Sequence, residues 1–137
     1  MLPKTHFLAT LTLTIITLLF NLTTPLQAAA ILFGGLLIDT DHYLLYVAEK
    51  KDWSLRRAYK LFYAMYLRHE KRKSLYLFHT VEFFLVVLAL GFVHPIFFYI
   101  FAGMIFHLML DITQAVQRGY YAKSISIIGD LYKHGSK

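Results

Sequence analysis

The sequence predicts an all-α integral membrane bundle: four transmembrane helices, with an amphipathic interfacial helix between the second and third. Three observations carry this reading. The 137-residue chain is 58% hydrophobic and 17% aromatic but only 16% charged, against roughly 25% charged in an ordinary soluble domain. Its apolar residues gather into four stretches, none of which alternates with the period of two that a half-buried strand needs. All fourteen Lys and Arg residues lie before, between or after these stretches. Length allows one domain, and the apolar content excludes intrinsic disorder. With no cysteine, a disulfide framework and thiolate metal ligation are both excluded.

The first helix is expected over about residues 5–21, around the run His6 to Phe20. A lysine, an apolar run and then Gln27-Ala28-Ala29-Ala30 also satisfy the pattern of a cleaved secretory signal peptide, a second reading that N-terminal sequencing separates from the first. Thr24-Pro25 reads as an N-cap followed by proline at the first helical position. It opens a second helix over about residues 25–48, which continues through Asp39, Asp41 and His42. The third is expected over about 74–93. His94-Pro95 starts the fourth, over about 95–117, because the residue before proline is pushed out of helical geometry. Gly119 falls near its end, and residues 118–137 form a tail. Gly34, Gly35 and Gly103 read as positions for close helix packing rather than phosphate binding. Between helices two and three, residues 53–68 place Leu55, Tyr59, Phe62 and Tyr66 on one helical face and Arg56, Arg57 and Lys60 on another, the pattern of a helix lying in the headgroup plane.

Charge fixes the orientation. Lys4 precedes the first helix, nine basic residues lie between the second and third, and four follow the last. The turns at 21–24 and 91–94 carry none. With four crossings, every basic cluster and both termini fall on one side, which the positive-inside rule makes cytoplasmic. The formal net charge of +6 therefore reads as topology and contact with anionic membrane lipid. No nucleic-acid recognition motif is present, and nucleic acid is not an expected partner. Homo-oligomerisation stays open.

Ionisable groups inside membrane spans mark functional sites by default. Here they are His6, Asp39, Asp41, His42, His79, Glu82, His107 and Asp111. With a rise of about 1.5 Å per residue, all eight fall in the cytoplasmic half of the four antiparallel helices. His107 and Asp111 are spaced i, i+4, and His79 and Glu82 i, i+3, so each pair is expected to share a helical face. Singly, each reads as a hydrogen-bonded structural group; together they describe a layer of imidazoles and carboxylates able to grip a divalent cation, as bundle metal sites do. Nitrogen and oxygen donors without sulfur suit zinc first, with manganese or iron as alternatives. Asp41 or Glu82, whichever is not a ligand, is the expected general base. A non-catalytic polar core is the alternative reading. A haem held by His79 and His107 suits the surrounding carboxylates less well. His69, His94 and His134 lie outside the layer.

Lys-Thr-His6, Gly34-Gly-Leu-Leu-Ile-Asp39-Thr-Asp41-His42, His79-Thr-Val-Glu82 and Phe-His107-Leu-Met-Leu-Asp111 together resemble the YdjM-like family, small membrane-bound proteins regarded as metal-dependent hydrolases. That family is distantly similar to zinc phospholipase C and P1 nuclease. The resemblance spans roughly residues 4 to 115 and implies His6, Asp39, Asp41, His42, His79, His107 and Asp111 as metal-site residues. Ile38 stands where the family often has proline. The family's histidine block before helix three matches here only at His79. Glu82 is singled out by spacing, not by the resemblance. The function expected is hydrolysis of a phosphoester, lipid headgroups included, by a metal-activated water.

Overall fold

The computed structural model describes residues 3–67 and 76–117. Among them are five α-helices, one 3-10 turn and no strand: α1 Pro3–Leu19, α2 Pro25–Lys50, α3 Leu55–Leu67, the turn Leu77–His79, α4 Val81–Val93 and α5 Ile96–Gln117. The expected tail 118–137, with Gly119 and His134, lies outside the described residues. So do His69, Arg68, Lys71, Arg72, Lys73 and the first residues expected of the third helix.

Local chemistry sets the ends of these helices. Asn21, in the left-handed region (φ 53°), closes α1. Thr24 caps α2 in a reciprocal box: its hydroxyl accepts from the Gln27 N–H while the Gln27 side chain accepts from the Thr24 N–H, and Pro25 needs no partner for the donor it lacks. α2 then runs past Asp39, Asp41 and His42 to Lys50. Thr80 caps α4 through a bond from the Phe83 N–H. The third helix thus begins at Val81, well after the expected position, and His79 sits ahead of it in the 3-10 turn. His79 and Glu82 consequently do not share an α-helical face.

α2 makes its most extensive contact with α5; α1 lies against α2, and α4 against α5. Glycine sets the spacing of the central pair. A Cβ on Gly34 would strike the Ile100 carbonyl, and one on Gly103 the Ile31 carbonyl, so the two backbones touch in the manner of small-residue helix crossings. A core of Ile38, Phe84, Val87 and Met104 fills the space beside this crossing.

α1 is arranged inside out. His6, Thr10 and Thr14, one turn apart, are buried, while Leu8, Ile15, Ile16 and Leu19 are exposed. α3 is tied back to α2 by Asp52, whose carboxylate accepts from Arg57 Nε (2.6 Å) and Nη2 (2.7 Å), from the Ser54 N–H (3.0 Å) and from the Tyr46 hydroxyl. The Arg57 guanidinium beside it, then the Tyr46 and Ser54 donors, hold the Asp52 carboxyl well below the usual carboxylate range. Two helices, Pro25–Lys50 and Ile96–Gln114, are long and apolar enough to cross a membrane. α1 and α4, with 17 and 13 residues, extend about 25 and 20 Å at 1.5 Å per residue.

Candidate metal centre

The start of α1, the second half of α2, the Leu77–His79 turn and the second half of α5 meet at one end of the bundle. Asp111, near the end of α5, is the hub. Its Oδ1 lies 3.2 Å from His6 Nε2, and its Oδ2 lies 3.4 Å from His79 Nε2 and 3.5 Å from His107 Nε2. His107 Nε2 is also 3.6 Å from Asp39 Oδ1. Three imidazoles from three segments of the chain thus turn the same nitrogen toward one carboxylate, with a second carboxylate alongside. The His6 and His107 rings pack at 4.0 Å between centroids.

Two of the three rings, His107 and His79, are held from behind, while His6 Nδ1 is buried without a hydrogen-bond partner among the described residues. The close α2–α5 crossing brings the Gly35 carbonyl within 2.6 Å of His107 Nδ1, which donates to it; the tautomer so fixed leaves a lone pair on Nε2. His79 Nδ1 is held by Asp41 Oδ2 at 3.0 Å, and the same oxygen accepts from the Phe78 N–H at 3.1 Å. The other Asp41 oxygen meets His42 Nδ1 at 2.9 Å. Asp41 is buried (6% exposed), and both of its oxygens are engaged. A carboxylate behind an imidazole is the usual arrangement around a metal-ligating histidine, fixing its orientation and raising its basicity. His42 stacks on Tyr76 at 4.2 Å.

The contacts around Asp111 are of a different kind from those around Asp41. A good N–H···O bond is about 2.7–3.2 Å long, and Asp41 makes three in that range. Two ligand atoms about 2.1 Å from a tetrahedral zinc stand roughly 3.4 Å apart, close to the 3.2–3.6 Å edges that join Asp111 and Asp39 to the three Nε2 atoms. His107 Nε2, fully buried, has no hydrogen-bond partner. An unpaired buried nitrogen beside carboxylates is costly unless something occupies the space between them. The donor set fits a divalent ion. His6, His107 and Asp111 form one group able to hold a cation, and Asp41, His42 and His79 form another, with all ligand atoms in each within 4.8 Å.

Of the residues expected from the sequence, the structure brings together His6, Asp39, Asp41, His42, His79, His107 and Asp111. Glu82, half-buried in the first turn of α4, belongs to neither group. His94 lies at the other end of the bundle, where its Nδ1 accepts from the Ile96 N–H. Sequence reasoning missed three contributors: the Gly35 carbonyl, the Phe78 N–H and the separation of His79 from α4. Only the last left a signal, since Thr80 directly before the apolar run Val81–Val93 is a helix N-cap pattern. No family model, no curated protein and no solved structure matches this chain.

Proposed function

We propose that this protein is a four-crossing membrane protein whose His/Asp centre, at the cytoplasmic face, binds a divalent ion and hydrolyses a phosphoester. The observation that carries it is the convergence of His6, His79 and His107 Nε2 on Asp111 at ligand-to-ligand spacing. The resemblance to the YdjM-like family points the same way.

The inside-out pattern supports the membrane setting. Large apolar side chains face outward on every long helix, among them Leu8, Leu19, Leu26, Phe92 and Met109, and the two longest apolar segments are only 39% and 17% buried. A soluble core helix would be mostly buried. α4 together with the turn that precedes it makes the third crossing, short enough to require local thinning or tilt adjustments. The absence of Lys and Arg from residues 20–24 and 93–95 supports placing those turns opposite the basic, cytoplasmic face.

His6, His79, His107 and Asp111 would hold the ion, zinc being the first choice for this donor set. A divalent ion so held lowers the pKa of bound water and polarises a phosphoryl oxygen. Asp41 positions His79 and so keeps its Nε2 toward Asp111. Asp39, beside His107 and about a quarter exposed (26%), is the carboxylate placed to accept the proton of the attacking water. Asp39 would take that proton as water adds to phosphorus and would return it to the alkoxide released when the ester P–O bond breaks. The basic segment around Arg56 and Lys60 would draw anionic lipid toward the site.

Elemental analysis of the purified protein tests this reading. Stoichiometric divalent metal in the wild type, lost together with phosphodiester turnover in Asp111→Ala, is the expected result. Full turnover in a metal-free preparation would refute it. A second reading, a structural polar core without catalysis, draws on Asp41, whose hydrogen bonds are complete without an ion; no stoichiometric metal and no hydrolysis of any phosphoester would favour it.

A further inference from the structure

Resting on the hydrolase reading, we infer that a groove between α4 and α5 seats the acyl chain of a phosphate-bearing lipid, so that the phosphoester acted on is that of a membrane lipid. The groove, open along one side, holds about 170 Å³ and is lined by apolar side chains, Phe84 and Leu88 of α4 and Phe101, Ile105 and Leu108 of α5 among them, with the His79 ring also in its lining and the nitrogens of that ring engaged by Asp41 and Asp111. His79 is also a member of the metal centre, its Nε2 being 3.4 Å from Asp111. One side chain therefore belongs to both the apolar channel and the polar cluster.

The lining spans eight residues on each helix, from Val81 to Leu88 and from Phe101 to Leu108, end to end about 10 Å at 1.5 Å per step. An apolar cavity of roughly 150 Å³ is enough to bind benzene, so this one takes a run of several methylenes. Its mouth opens on an outward apolar face, where Val81 is 48% and Leu85 58% exposed. The occupant must therefore be apolar along its length, arrive from the apolar surroundings and end in a group that histidines and aspartates around a cation can take. A lipid with an acyl chain and a phosphate head meets all three conditions. A water-soluble phosphoester would leave the groove unused, and a neutral lipid would leave the centre unused.

The test uses the full chain in nanodiscs containing phosphatidic acid with a photoreactive diazirine in one acyl chain. A parallel sample contains diacylglycerol bearing the same chain. Adducts are mapped by mass spectrometry, and metal content is measured on the same material. The expected result is labelling concentrated on α4 and α5 around Leu88 and Phe101, at least fivefold stronger for phosphatidic acid than for diacylglycerol. It should fall at least fivefold in Leu88→Trp with metal content unchanged. Leu85→Trp, at the open mouth, should give the same block without overpacking the core, and Leu8→Trp on the outer face of α1 should give none. Equal labelling by the two lipids, or labelling unaffected by both groove substitutions, would overturn the acyl seat. If metal-dependent hydrolysis of soluble bis(4-nitrophenyl) phosphate persisted beside that outcome, the hydrolase reading would stand alone. Phosphate-dependent groove labelling without hydrolysis of any ester would instead keep the seat and remove the hydrolase.

Discussion

Asp41 and Asp111 lie at the same end of the bundle yet ask for different experiments. Asp111 gathers three Nε2 atoms at 3.2–3.5 Å, too long for good hydrogen bonds in two of the three cases. Asp41 gathers two imidazoles and one backbone N–H at 2.9–3.1 Å. Removing Asp111 should therefore abolish metal binding. Removing Asp41 should weaken it about 10- to 100-fold, the usual loss when the group behind a ligating histidine is deleted. Competitive titration with a chromophoric chelator separates the two; equal losses for Asp41→Ala and Asp111→Ala would mean that Asp41 is itself a ligand. The spacing of His107 and Asp111 and the shared depth of His6, Asp39 and His79 made the members of this layer legible in the sequence. Which nitrogen each ring presents was not legible. That choice is made by the Gly35 carbonyl and by Asp41, partners 72 and 38 residues away in the chain, and no local pattern encodes such a pairing.

At the level of elements, the helices were readable wherever a cap or proline punctuates them: Thr24-Pro25 before α2, and His94-Pro95 before α5. The third helix was misplaced because its apolar run continues backward through Leu77 and Phe78, masking the Thr80 cap. The α2–α5 crossing is the element contact on which the centre depends, since the touching backbones that Gly34 and Gly103 permit also bring the Gly35 carbonyl to His107. Gly103→Ala places a methyl against the Ile31 carbonyl, and only a backbone shift can relieve it. Overpacking of this kind costs about 1–3 kcal/mol. A lowered thermal midpoint in detergent, together with reduced metal content, is expected; an unchanged midpoint would show that the helices do not cross this closely. The α2–α3 connection has its own pH signature. Asp52 titrates lower in the folded chain than the value of about 3.9 it has when unfolded, chiefly because of Arg57. Its contribution is therefore complete above that value and is lost as pH falls through the lower folded one. Acidification below about pH 4 should loosen α3, and the fluorescence of the lone tryptophan, Trp53, reads it directly because the Tyr43 hydroxyl bonds its carbonyl. Asp52→Asn should remove that acid transition; if it persists unchanged, another carboxylate is responsible.

For the molecule as a whole, the polar centre and the apolar exterior are two consequences of one partition of side chains. A soluble bundle buries its apolar stripe and shows water its polar one; here α1 buries His6, Thr10 and Thr14 and shows its leucines and isoleucines outward. That inversion fits the proposed membrane setting, because exposed apolar patches much larger than a few hundred Å² are rare on soluble monomers. The proposed four crossings rest on connectivity: the turns at 20–24 and 93–95 lie at one end of the bundle, and His6, His107 and the Lys51–Ser54 segment lie at the other. The chain contains no cysteine, so single cysteines report position without a background. In intact cells with the outer face accessible, a membrane-impermeant maleimide should label Asn21→Cys and His94→Cys and spare Lys51→Cys until the membrane is permeabilised. Labelling of Lys51→Cys from outside would invert the bundle and put the His/Asp centre on the opposite face. Labelling of Asn21→Cys but not His94→Cys would mean that α4 and α5 do not cross as a pair, and the four-crossing arrangement would fall.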